Sequence, residues 1–347
     1  MLTFYNELHG QHRSRFESAR GAPLPYAETP QRADVVVAEL ERRNLGRIVT
    51  PQGVPLLSLE RIHTPRYLHF LRHAWRDWLA LAPANAKRDA FPSVWPIRSL
   101  RDDIEPDNFC ARLGLYSMDS GTPITTGTWI AAKTGADCAV NAAHALRLGE
   151  RATFALTRPP GHHAGADFFG GGCFLNNAAL AAQHLLDDGA RRVAILDLDA
   201  HHGNGTQSIF YRRDDVLFVS LHADPRNAFP FYLGHADESG ADAGLGYNMN
   251  LPMPAGSTAA SWFAALETAC LRVSGYAPDA LVVSLGVGAF CGEPQPHFAL
   301  QCADFLRIGE RISYLGLPTA FIFEGGSAVK EIGINVVNLL EGFETGG

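Results

Sequence analysis

The apolar positions of the chain fall into two patterns. Four short runs, Val193–Leu198, Val216–Leu221, Ala280–Leu285 and Thr319–Phe323, are rich in β-branched or aromatic residues, and most are bounded by Gly, Pro, Asp or Arg. Continuous apolar runs of this kind suit strands covered on both faces, the habit of parallel sheets. Between them lie helical stretches such as Asn177–Leu186 and Ser261–Val273. Strands alternating with helices predict an α/β architecture of three layers, a central, mainly parallel sheet with helices on both faces. Ligands in such folds sit beyond the carboxyl ends of the strands.

No internal repeat, low-complexity tract or long linker interrupts the pattern, which predicts one domain over residues 1–347. The stretch from about 87 to 126 differs, being proline-containing, irregular and mixed in charge. A connection that long inside a compact domain is expected to serve as a lid or a dimer loop, an insertion without a role being the alternative.

Composition narrows the functional classes. With 29 Lys and Arg against 36 Asp and Glu, the net charge is −7, and the acidic residues are spread along the chain. That balance argues against a nucleic-acid surface and suits a cationic ligand or no electrostatic partner at all. The six cysteines form no CxxC pair and read as reduced core or pocket thiols. The polar start MLTFYNELHGQHRSRFES has no signal-peptide apolar region, and no apolar run nears the roughly 18 residues that span a bilayer. A soluble, cytoplasmic protein with no membrane partner is expected.

The sharpest chemistry lies in Ile195-Leu-Asp-Leu-Asp-Ala-His-His-Gly-Asn-Gly205, at the end of an apolar run. If the chain stays extended, alternation puts Asp197, Asp199 and His201 on one side. A carboxylate and an imidazole together at a strand end are two-thirds of a catalytic zinc site. One isolated DxH is more often a buried Asp–His pair; the HGNG that follows makes this one less ordinary. A second segment, Arg158-Pro-Pro-Gly-His-His-Ala164, continues into Phe168-Phe-Gly-Gly-Gly-Cys-Phe-Leu-Asn-Asn177. Adjacent histidines in a loop braced by Pro and Gly suit proton transfer, and the glycines let backbone approach a ligand.

These motifs, RPPGHHA, GGxCFxNNAA, LDxDxHHGNGT and the SLH of Ser220–His222, resemble the histone deacetylase superfamily. DPRNAFP, GHADESG, VVSLGV and EGG-x-x-x-x-EIG make the acetylpolyamine amidohydrolase branch the nearest likeness, over about residues 1 to 343. The resemblance implies an arginase/deacetylase-like fold, one zinc, hydrolysis of acetyl-amide bonds, a small cationic or acylated amine as ligand, and a homodimer. It places Asp199 and His201 as the first two zinc ligands and His162 and His163 as the paired histidines, with His163 the base. Asp197 would orient His162 and Asn204 would partner His163. Carbonyls around Asp197, Asp199, His201 and Leu221, with Ser220, resemble a potassium site. Phe229 matches a tunnel aromatic, Phe169 and Gly172 fall among the substrate-binding positions, and Glu105 and Asp119 match acids that meet a distal ammonium.

Three positions leave the pattern. Gly288 stands where the resemblance places the third zinc ligand, an aspartate; Ser327 replaces the tyrosine that donates to the oxyanion; and Gly172 replaces a tunnel-wall tyrosine. Two protein ligands are fewer than the three a catalytic zinc takes, so zinc is expected to be weak or absent. Loss of one oxyanion donor costs about 100- to 1000-fold in rate. Cys291, Glu293 and His297 follow closely; Cys291, three residues past Gly288, is a candidate substitute ligand, with Cys173 a second candidate thiol. Three readings stay open: a divergent enzyme with altered or metal-poor chemistry, a non-catalytic binder of a polyamine-like cation, and a zinc deacetylase rescued by a substitute ligand.

Overall fold

The computed structural model describes residues 1–19, 22–97, 99, 101 and 103–346. Its strands are β1 (Leu2–Phe4), β2 (Phe16–Ala19), β3 (Ala22–Pro25), β4 (Arg47–Val49), β5 (Ala152–Ala155), β6 (Val193–Asp197), β7 (Val216–Ala223), β8 (Asn248–Met253), β9 (Ala280–Leu285) and β10 (Thr319–Phe323). Its α-helices are α1 (Gln31–Arg43), α2 (Leu56–Leu59), α3 (Pro65–Leu81), α4 (Phe109–Leu115), α5 (Thr128–Arg147), α6 (Asn177–Asp187), α7 (Asn204–Phe210), α8 (Ala259–Tyr276), α9 (Cys302–Ser313) and α10 (Val329–Thr345). All four expected strands and both expected helices are present, with shifts only at their ends.

Eight strands form one sheet in the order β4-β1-β5-β10-β9-β6-β7-β8, while β2 and β3 make a separate antiparallel hairpin. Every pairing in the large sheet is parallel. The period of two explains the three layers. In β6, Val193 and Ile195 enter the core packed with α3, α5 and α6, whereas Ala194 and Leu196 enter the core packed with α1, α8, α9 and α10. β9 and β10 divide the same way, Val282 and Ile322 to one side, Val283 and Phe323 to the other. Each fully buried Val, Leu, Ile or Phe contributes roughly 1.5–3 kcal/mol, which is why β6 and β9 hold no polar residue until their carboxyl ends.

At those ends polarity arrives at once. Asp197 of β6 pairs in register with Ser220 of β7 and Ser284 of β9, and all three are fully buried. The chain after β5 carries the histidine pair, and the chain after β10 carries Glu324–Ser327. The stretch at 87–126 is less irregular than its composition suggests. It contains α4, pairs Ala90 with Ile124, and joins the glycine-rich loop through Ser117 and Phe169.

Candidate active site

The expected extended path through Asp197, Asp199 and His201 does not form. The strand stops at Asp197 and the chain bends. The aspartates themselves cause the bend: Asp197 Oδ1 accepts the N–H of Asp199 at 3.0 Å, and Asp199 Oδ1 accepts that of His201 at 2.9 Å. Short carboxylates reaching two residues on is ordinary turn chemistry. The carboxylate of Asp199 also takes the N–H of Gly325 at 2.9 Å, and a Cβ on Gly325 would stand 2.3 Å from that same oxygen. The loop after β10 must therefore be glycine for the carboxylate to lie against it.

The histidine pair is built from the other side. His162 Nδ1 lies 3.0 Å from Asp197 Oδ2, and His163 Nδ1 lies 2.7 Å from Asn204 Oδ1. The carbonyl of His162 accepts the N–H groups of Gly205 and Thr206 in the first turn of α7. Asn176 caps α6 and donates to the Ala164 carbonyl at 2.9 Å, so two helices fix the loop. Both rings are buried, and Phe229 meets His163 edge-on at 4.9 Å between centroids.

Electrostatics separates the two rings. Burial opposes charge on His162, but the carboxylates of Asp197 and Asp199 outweigh it and raise the ring to about 10. Burial, aided by the positive charge of the neighbouring His162, drives His163 well below its ordinary range. One ring is an imidazolium and the other is neutral. With Nδ1–H of His163 donated to Asn204, its Nε2 keeps a lone pair for a proton. Asp199 is held down by the charge of His162 and by hydrogen bonding from His201 despite its burial.

The remaining expected residues divide. Phe229 lies 6.4 Å from His201 as well as beside His163, framing the site. Phe169 does not: it is fully buried, stacked with Phe174 at 5.5 Å and Phe70 at 6.5 Å, because an all-apolar ring there completes the core under the glycine-rich loop. Asp119 accepts from Gly121, Thr122 and Gly171, the last at 2.5 Å, and so staples the 119–122 turn to the glycine-rich loop. Glu105 bonds Tyr116 Oη at 2.6 Å and lies 3.6 Å from Arg112. Ser220 Oγ contacts His222 Nδ1 at 2.8 Å, and Leu221 is buried beside it in β7.

A Cβ on Gly288 would meet only the Ala200 methyl, at 3.2 Å, and one on Gly172 would meet nothing nearer than Glu28 at 3.7 Å. Ser327 gives its N–H to Glu293, whose carboxylate also takes the N–H of Ala328. Cys291 accepts from the Gln301 amide at 3.1 Å, whereas the ring of His297 stands edge-on to His201 at 5.5 Å.

Asp199 and His201 supply two donors for a zinc, and the described residues bring no third ligand atom together with them. Where three His, Cys, Asp or Glu ligand atoms do converge within 4.8 Å in this site, the group is His162, Cys173 and Glu324. It is poorly primed for a metal, because His162 is charged and burial pushes the Cys173 thiol well up. The donor set therefore falls short of a zinc site of three protein ligands and one open position.

Residues that the sequence reading passed over hold the site in shape. Arg32, buried beneath it, donates to the carbonyls of Glu324 at 2.5 Å and Gly326 at 2.7 Å, while Glu28 bridges Arg32 and Arg158, each at 2.8 Å. Glu324 accepts the N–H groups of Gly161 and His162, and burial raises it to about 7. The hint in the sequence is that Glu324 lies in the EGG motif and Arg158 in RPPGHHA.

A family model described as the histone deacetylase domain matches residues 26–342. The chain belongs to the histone deacetylase domain family. Within it, the chain is 52% identical over 345 residues to acetylpolyamine amidohydrolase 1 of Pseudomonas aeruginosa, covering 99% of each. It is 42% identical to the acetylpolyamine amidohydrolase of Mycoplana ramosa, again over 99% of each chain. A crystal structure of acetylpolyamine aminohydrolase from Burkholderia pseudomallei superposes with a TM-score of 0.95 at 38% identity, covering 100% of this chain and 99% of that one. The expected arginase/deacetylase-like architecture and the branch of the resemblance both hold.

Proposed function

We propose that this member of the histone deacetylase domain family binds a small acylated amine of the acetylpolyamine kind and acts on its amide through His163, with zinc-dependent deacetylation weak. The observation that carries the reading is the neutral His163, 2.7 Å from Asn204 and beside a charged His162. A neutral imidazole with a free Nε2 can take a proton from water attacking an amide, and the imidazolium of His162 can stabilise the anion that forms. The names of the similar proteins from three bacteria support an acylated-amine ligand. Gly288 and Ser327 support slow hydrolysis, since neither offers the carboxylate or the phenol found at those positions in the family pattern.

The test is release of free amine from N-acetylputrescine and from bulkier N-acylated diamines, with binding followed by calorimetry. Binding with slow release that His163→Ala abolishes is the expected result. Binding with no release above background, in wild type and variant alike, would make the chain a ligand-binding protein instead.

A second reading has one observation of its own. His297, 5.5 Å from His201 between ring centroids, is a candidate to complete a metal site with Asp199 and His201. One zinc equivalent that survives a chelator and is lost in His297→Ala would favour it.

A further inference from the structure

Away from the cleft, a second set of ligand atoms converges at the far ends of α5 and α6. His144 lies in the last turn of α5, His184 in the last turn of α6, and Asp188 caps α6. His144 Nδ1 stands 3.4 Å from Asp188 Oδ2, His184 Nε2 stands 3.3 Å from the same oxygen, and the two nitrogens are 3.4 Å apart. The three atoms form a nearly equilateral triangle.

That triangle has the dimensions of one face of a tetrahedral metal site. Zinc binds imidazole nitrogen and carboxylate oxygen at about 2.0–2.1 Å, which places neighbouring ligand atoms about 3.3–3.4 Å apart. Hydrogen bonds account for it less well. If both facing nitrogens are protonated, two N–H groups oppose each other across 3.4 Å. If either is bare, its lone pair faces the Asp188 oxygen. A cation at the centre makes all three contacts attractive. The site is also one that favours positive charge, because the carboxyl ends of two helices, each with its partial negative charge, meet there.

From these distances we infer that His144, His184 and Asp188 form a surface site for a divalent transition metal, zinc by preference, with its fourth position open to water. Two imidazoles and one carboxylate are a donor set that suits zinc, with cobalt and nickel as competitors. The site is separate from the catalytic cleft. α6 starts at Asn177 beside the histidine loop and ends at Asp187, a helix of about 16 Å at 1.5 Å per residue. The bound metal clips α5 to α6 at the amino-end side of the sheet, and α6 in turn braces the loop that carries His162 and His163.

Stoichiometry and spectrum test the site without any readout of turnover. Full-length metal-free protein is titrated with zinc under equilibrium dialysis and with cobalt under visible absorption. Wild type and the variants His144→Ala, His184→Ala and His201→Ala are compared. The expected result is one zinc equivalent and the absorption of four-coordinate cobalt in wild type and in His201→Ala, both lost in His144→Ala and in His184→Ala. Melting temperature should rise with zinc only where the site is intact. His144 is exposed, so its replacement leaves folding undisturbed, which circular dichroism checks. Wild type without a zinc equivalent, or His144→Ala and His184→Ala that keep the wild-type stoichiometry and cobalt spectrum, would overturn the inference.

Discussion

The amide oxygen of Asn204 lies 2.7 Å from Nδ1 of His163, so a neutral partner orients this ring, whereas the adjacent His162 is held by the carboxylate of Asp197. The difference of one atom type, amide against carboxylate, helps to keep the two rings in opposite charge states. Asn204→Asp should erase much of that difference. A carboxylate within about 4–6 Å typically raises an imidazole by 1–3 pKa units. Histidine titration by NMR should show the His163 ring moving up by at least about one unit in the variant. No movement would mean that burial and the positive charge of His162 alone set its state.

Phe169 is a core residue, stacked between Phe70 and Phe174. Phe169→Ala should therefore cost about 3–5 kcal/mol of stability, the usual penalty for emptying a buried aromatic site. A urea midpoint measurement would show it, with affinity for an acylated amine little changed in protein that remains folded. Lost affinity at unchanged stability would return Phe169 to the wall of the cleft.

The sequence made the centre of this molecule legible and left its margins obscure, for physical reasons. β6, β7, β9 and β10 are buried on both faces, so each reads as an apolar run that turns polar at its carboxyl end. β1 and β4 have three residues each, too few to show a period. β8 is an edge strand containing Pro252, and its Asn248 and Asn250 bond Gln207, so it lacks an apolar signature. The histidine pair and the Asp–His pair were legible as motifs. Arg32 was not, because its role depends on a partner 292 positions away in the chain. The bend at Asp199 was missed because alternation assumes an extended chain, and the aspartates curl it.

Acid should destabilise the fold in steps set by buried neutral histidines. His63 is almost fully buried, accepts the Asn176 N–H at 3.0 Å, and is lowered by burial to about 4. Above about pH 6.5 the ring is neutral in both folded and unfolded chains and adds no pH dependence. Between about 6.5 and 4 the unfolded chain takes up a proton that the folded chain refuses, so stability falls as pH falls, by at most about 1.4 kcal/mol per pH unit for one ring. His222 is likewise held to about 4 by burial and adds to the slope. His63→Gln, which keeps an acceptor for Asn176, should remove roughly one proton's share of that slope in denaturant titrations from pH 7 to 4. An unchanged slope would show that the ring is already protonated in the folded state.

Refilling the cleft asks whether its departures from the family pattern are confined to a few positions. A Cβ on Gly288 meets a single methyl at 3.2 Å, so Gly288→Asp requires only a few tenths of an ångström of give from Ala200. The new carboxylate would join Asp199 and His201 to supply the three ligands that a catalytic zinc takes. Ser327→Tyr would add a phenol at the position of the family's oxyanion donor, a group whose loss costs about 100- to 1000-fold elsewhere. The double variant should hold a zinc equivalent beyond that of wild type, lost on His201→Ala, and release amine from N-acetylputrescine at least about 100-fold faster than wild type. Gly172→Tyr is a different kind of change. Gly172 has φ of +76°, so any side chain there costs about 1–2 kcal/mol in backbone strain even though the space is open. The triple variant should melt below the double variant while narrowing the cleft against bulky acylated amines. A double variant that folds and binds zinc but stays at wild-type turnover would place the divergence elsewhere, in the ring states of His162 and His163 or in the acids of the 87–126 stretch.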